Sequence, residues 1–259
     1  MITQAKWPSR TFHQDDTHVS HTKGGQVAGD KVGASVQSSD VSSLTGTQRA
    51  VVALRDGIRS GRYVPGQRLV EVDLVNELGV GRNSLREAFS RLASEGLIAV
   101  EPHRGASIRK RSRGEVADLY DISEVLEGLA ARNAAENIGR AGNAELLRSL
   151  VEQQAESVPI STRRQVDAAA DLHEAILLMS DNPRLIELGT NMHVLTFSLQ
   201  LRHSQLVADH PLSGHSLDEH RDVVDAILTG DPQHAEEVMR GHIRNGKQRL
   251  MALPDNVFH

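Results

Sequence analysis

Leu74-Val75-Asn76-Glu77-Leu78-Gly79-Val80-Gly81-Arg82-Asn83-Ser84-Leu85-Arg86-Glu87-Ala88-Phe89-Ser90-Arg91-Leu92 holds the pattern on which the fold turns. Leu74, Val75 and Leu78 line one face of a short helix, and Gly79-Val80-Gly81 interrupts it with a tight turn. Leu85, Ala88, Phe89 and Leu92 then recur at i, i+3, i+4 and i+7, the period of a second amphipathic helix. Upstream, Val51, Leu54 and Ile58 fall at helical spacing and stop near Gly61, before the turn-like Val64-Pro65-Gly66. Downstream, Gly96 closes the helix, Leu97-Ile98-Ala99-Val100 reads as a strand, Pro102-His103-Arg104-Gly105 as a turn and Ala106-Ser107-Ile108-Arg109 as a return strand. Three helices and a hairpin predict a winged helix-turn-helix over 44–110.

With the apolar stripe of the third helix facing the first two, Arg82, Asn83, Ser84 and Arg86 turn to solvent near its N-terminus, where a recognition helix meets base edges. Arginine suits bidentate contact with guanine, Asn and Ser serve bases or phosphates, and the helix N-terminus favours a phosphate. At the wing tip His103 and Arg104 add donors beside Gly105, whose missing side chain lets the backbone approach DNA. Charge supports a DNA-binding head: 13 basic and 7 acidic side chains lie in 44–113, against 12 and 23 in 114–259. The pattern alone also admits a winged helix that binds protein.

The 259 residues suffice for two modest domains. Aromatics are only 3% of the chain, leaving Leu, Val, Ile and Ala to fill the cores of a mainly α protein. Residues 1–43, rich in Ser, Thr, Gly and Gln with no sustained apolar period, read as a disordered tail. The basic 111–114 reads as a hinge. Beyond it, over 115–252, every long segment has helical period, predicting an all-α bundle of six helices near 115–138, 143–157, 164–180, 183–204, 217–229 and 232–251. Start signals are Asp181-Asn182-Pro183, a capping box of Ser216 with Glu219, and Asp231-Pro232. The absence of cysteine excludes disulfides and thiolate chemistry, and would leave any metal to His, Asp or Glu. No apolar run has the length of a membrane span and the start lacks the pattern of a secretory signal, so a cytoplasmic protein without a membrane partner is expected.

The segments Leu54 to Leu69, Gly79 to Ala88 and Glu95-Gly96-Leu97-Ile98 resemble the N-terminal domain of GntR-family repressors. The resemblance implies operator DNA as partner and contacts from Arg82, Ser84, Arg86, Arg104 and Gly105. Gly81 stands where the family usually has a capping Ser or Thr, and Val72 where some members carry an Arg that touches DNA. Leu119-Tyr120-Asp121-Ile122, Leu126 to Arg132, Leu172-His173-Glu174-Ala175-Ile176, Glu219-His220-Arg221 and Met239-Arg240-Gly241-His242 resemble the FCD effector domain of the FadR-type subfamily. That resemblance implies a helical effector-binding and dimerisation domain, in which three His and one Asp often hold a divalent metal that helps bind a carboxylate effector.

His173, His220 and His242 fall on three different predicted helices, so a bundle can bring them together around a metal of Zn or Ni type with positions left open for a ligand. The family's Asp, four residues before the first His, is here Ala169, and Asp171 and Asp167 lie about 160° and 120° around the helix from His173. The family's usual Arg is also missing near Ser123-Glu124. Two-fold DNA sites make a homodimer the expected assembly. The alternative is an all-helical metalloenzyme on the same histidines. Leu177 stands four after His173 where a zinc-protease helix needs a second His, and no phosphate loop, nucleophile elbow or close carboxylate pair is present, so no enzyme is expected.

Overall fold

The computed structural model describes residues 44–101, 104–157, 162–206, 212–255 and 258. The expected tail over 1–43 lies outside them, as does the wing-tip His103. The described residues form nine α-helices and one small sheet. Helices α1 (Gly46–Arg59), α2 (Glu71–Leu78) and α3 (Arg82–Ser94) pack through Val51, Leu54, Leu74, Leu85, Phe89 and Leu92, the residues that set the helical period in the sequence. Gly79 ends α2 in the left-handed region at φ 60°, which glycine adopts without the Cβ penalty. Gly57 is required for a different reason: the Tyr63 ring lies against α1, and a Cβ at Gly57 would stand 2.2 Å from it.

The wing is the antiparallel pair β2 (Ile98–Glu101) and β3 (Gly105–Ile108), in register Ile98 with Ile108 and Glu101 with Gly105. A third strand, β1 (Arg68–Leu69), pairs with the far edge of β3, giving the order β1-β3-β2. The hairpin expected from the sequence is thus part of a three-stranded sheet. Two residues carry no readable alternation, so β1 owes its strand conformation to the open edge of β3.

The bundle comprises α4 (Arg113–Glu136), α5 (Asn143–Ser157), α6 (Thr162–Met179), α7 (Pro183–Leu206), α8 (Leu212–Leu228) and α9 (Pro232–Met251). Its six helices match those expected, with two corrections. Of the 111–114 expected as a hinge, Arg113 and Gly114 already belong to α4, whose start is capped by the box of Ser112 and Glu115. Helix α8 starts at Leu212 rather than at Ser216, so the expected box of Ser216 and Glu219 caps nothing. Asn182 and Asp231 do act as caps, Asp231 accepting from the backbone N–H groups of Gln233 and His234.

Helices α4 and α9 run antiparallel, crossed by ion pairs from Glu124 to Arg244 (3.3 Å) and Arg132 to Glu236 (3.3 Å). Between these pairs Gly128 admits the stem of Arg240, and Ala130, Ala131, Ala134 and Ala135 bury the rest of the α4 face. The bundle core is filled by Leu147, Leu172, Ile176, Ile227 and Met239, all fully buried. The second apolar cluster is not confined to the winged helix. Val194 and Leu195 of α7 complete it, and 46–259 forms one compact unit.

Candidate nucleic-acid interface and histidine centre

Gly81 precedes α3 in an extended conformation (φ −72°, ψ 153°) and supplies no side-chain cap. The α3 N-terminus is therefore open to solvent, with Arg82 and Asn83 exposed. Ser84 is half-buried, its Oγ packed against Gly46 at the start of α1. Arg86 is exposed and paired with Glu71 at 3.1 Å, and Glu87 accepts a hydrogen bond from Thr47 at 2.8 Å. On the wing Arg104 is 83% exposed beside Glu101, and Gly105 takes φ 83°. The expected DNA-facing groups among the described residues are thus exposed, apart from the half-buried Ser84, and Arg86 is held by an acidic neighbour.

The three expected histidines converge. His173 on α6, His220 on α8 and His242 on α9 bring their Nε2 atoms together, with separations of 3.2 Å (173 to 220), 3.2 Å (220 to 242) and 3.3 Å (242 to 173). Each Nδ1 points outward to an acceptor: His173 to Glu127 Oε2 (3.2 Å), His220 to Gln154 Oε1 (2.8 Å) and His242 to Glu219 Oε2 (2.9 Å). A carboxylate only accepts, so the proton of His173 and of His242 sits on Nδ1, and the amide oxygen of Gln154 sets the same tautomer for His220. Three Nε2 lone pairs then face one another with no proton between them. Nitrogens bound to one tetrahedral Zn²⁺ at 2.0–2.1 Å lie about 3.3–3.4 Å apart, so the donor set fits such an ion in chemistry and spacing. The Nδ1 acceptors fit the outer partners that orient metal-binding imidazoles.

Burial, followed by the neighbouring imidazoles, pushes His220 well below the usual histidine range, and burial lowers His242 as well, favouring the neutral rings a metal needs. Burial acts to raise the Glu219 carboxyl, but hydrogen bonds from His242 and Arg249 outweigh it and bring it down to about 2. Arg249 reaches both Glu219 oxygens, at 2.7 and 2.8 Å. Ala169 is buried, while Asp171 turns to Arg59 at 4.0 Å, away from the centre.

Sequence reasoning missed Glu127, Gln154, Glu219 and His193. Glu127 accepts at Oε1 from His193 Nε2 of α7 while its other oxygen holds His173, and all three residues are buried. Burial acts against the charge on Glu127, but the two imidazoles outweigh it and hold its carboxyl well below the usual range; the same carboxylate raises His193 against burial. A signal existed. Glu127 continues the buried stripe of Val116, Tyr120 and Ser123, and Gln154 lies seven after the buried Leu147; polar groups on an apolar face need a partner there.

The description "Bacterial regulatory proteins, gntR family" matches residues 47–108, and the FCD domain matches 118–245. The chain belongs to the GntR family and carries an FCD domain. It is a DNA-binding transcription regulator with an effector domain, in a family of regulators rather than enzymes. A probable D-xylose utilization operon transcriptional repressor of Paenarthrobacter nicotinovorans is 29% identical over 187 residues, covering 72% of this chain and 80% of that protein. The galactonate operon transcriptional repressor of Escherichia coli K12 is 27% identical over 231 residues, covering 82% and 99%. The structure of E. coli McbR/YncC superposes with a TM-score of 0.71 at 20% identity, covering 80% of this chain and 97% of that one, and shares the fold. No helix among the described residues is long and apolar enough to cross a membrane.

Proposed function

We propose that this regulator is a ligand-responsive repressor working as a homodimer in the cytoplasm, with 44–110 as its DNA-binding head and 115–252 as its effector and dimerisation domain. Arg82, Asn83, Ser84 and Arg86 read the operator, and the wing of His103, Arg104 and Gly105 follows the backbone or minor groove. His173, His220 and His242 hold a divalent metal of Zn or Ni type. When bound, that ion supplies positive charge and open coordination positions to a small, carboxylate-bearing effector.

The convergence of three Nε2 atoms, from the buried His173 and His220 and the half-buried His242, all with their protons turned outward, carries this reading. Lone pairs so placed repel, and a cation removes the repulsion. The two named relatives that repress sugar or sugar-acid operons support the repressor role. Dimerisation is supported by Ile122, Val125 and Leu129, which leave an exposed apolar stripe at 52%, 52% and 38% along α4.

Metal analysis of protein purified without a histidine tag tests the centre. Near-stoichiometric Zn or Ni is expected, and absence of both metal and any thermal shift on adding Zn²⁺ or Ni²⁺ sinks it. A gel shift on the chain's own promoter region tests the head: a specific, salt-sensitive complex is expected, and none at low salt refutes it.

A further inference from the structure

One turn of α7 touches both the histidine centre and the head. His193 donates to Glu127, which holds Nδ1 of His173. Two residues before it, Asn191 Oδ1 accepts from Arg55 of α1 at 3.0 Å, and Arg55 also pairs at 2.6 Å with Glu95, where α3 ends. The next two residues, Val194 and Leu195, are buried in the same apolar cluster as Leu54, Phe89 and Leu92. The turn of α6 that carries His173 adds a second tie, because Asp171 pairs with Arg59 of α1.

We propose that the α7 turn from Asn191 to Leu195 carries occupancy of the histidine centre to the DNA-reading helix, with Glu127 and His193 as positioning residues. The inference rests on metal binding at His173, His220 and His242. The Nε2 separations already suit a bound cation, so it is the emptied centre, where three lone pairs repel, that changes where the His173 ring rests. Both Glu127 oxygens are engaged and the residue is buried, so no water replaces a hydrogen bond that His173 strains. Glu127 follows the ring, and His193 follows Glu127. A helical turn moves as a unit, so Asn191 shifts against Arg55, and Val194 and Leu195 shift against the core that supports α3. The two arrangements of the head then differ in affinity for DNA, as coupling between sites requires.

The test uses the full chain, Zn²⁺ alone as probe and a fragment of the chain's own promoter. Zn²⁺ uptake and DNA affinity with and without Zn²⁺ are measured for wild type, Asn191→Ala and His193→Leu. Wild type is expected to change DNA affinity on Zn²⁺ binding by at least about fivefold, the lower end of typical coupling. In Asn191→Ala, Zn²⁺ uptake and metal-free DNA binding persist while that ratio falls at least about threefold; in His193→Leu it falls to near one. A role in folding alone would leave the ratio of the folded protein intact. If His193→Leu does not fold, Asn191→Ala decides, being half-buried and outside the histidine centre. Variants that keep the wild-type ratio overturn the proposal and leave the 109–112 connector as the route. A wild type that takes up Zn²⁺ without altering DNA affinity also overturns it, whereas one that takes up none overturns the metal reading beneath it.

Discussion

His220 is the residue on which the centre depends most, being fully buried with one nitrogen on Gln154 and the other facing two imidazoles. In His220→Ala the thermal shift on adding Zn²⁺ disappears; for wild type at a hundredfold excess over Kd it amounts to roughly 5–10 °C in scanning calorimetry. On the DNA face, Arg82→Ala weakens specific binding by about 1–3 kcal/mol, read as a roughly 5- to 150-fold loss in gel shifts. On the proposed reading, DNA must win Arg86 from the Glu71 carboxylate that already engages it. Glu71→Gln is expected to strengthen promoter binding while leaving the melting temperature unchanged, since exposed ion pairs add little stability. A weaker complex in Glu71→Gln would mean that the pair preorganises Arg86 instead.

Among the elements, α1 shows how packing overrides local propensity. Alanine at Gly57 gains about 1 kcal/mol of helix propensity, but its Cβ collides with a Tyr63 ring held in place by a hydrogen bond from its hydroxyl to Glu77. Gly57→Ala should therefore lose a net ~1–2 kcal/mol in urea unfolding, overpacking outweighing propensity. The α9 start behaves as its sequence reads, and Asp231→Ala should cost about 1 kcal/mol through loss of the cap to Gln233 and His234. Helix α8 does not: its readable start signal, Ser216 with Glu219, lies inside the helix. Glu219 bonds His242 and Arg249 instead, partners 23 and 30 residues away along the chain that no local motif reveals.

For the whole molecule, the α4 stripe of Ile122, Val125 and Leu129 is the surface on which the dimer is expected. The double change Ile122→Glu with Val125→Glu should shift sedimentation from dimer to monomer and weaken promoter binding, because one head then covers only a half-site. Retention of the dimer would place the interface elsewhere. Head and bundle are joined by more than the connector, through Arg55 with Asn191 and Arg59 with Asp171, so an effector can act on the head through packed side chains.

The sequence by itself determined the helices, the winged-helix order, the exposed arginines of α3 and the three histidines, because these follow from near-neighbour periodicity and from residue types whose spacing survives in one chain. Only the tertiary structure decided what those histidines face. Glu127, Gln154, Glu219 and His193 come from four different helices, and α7 reaches into the core of a domain more than 80 residues away in sequence. Such partners are chosen by how helices dock. A lone polar residue on an apolar stripe announces that it needs a partner, and only the packed bundle supplies which one.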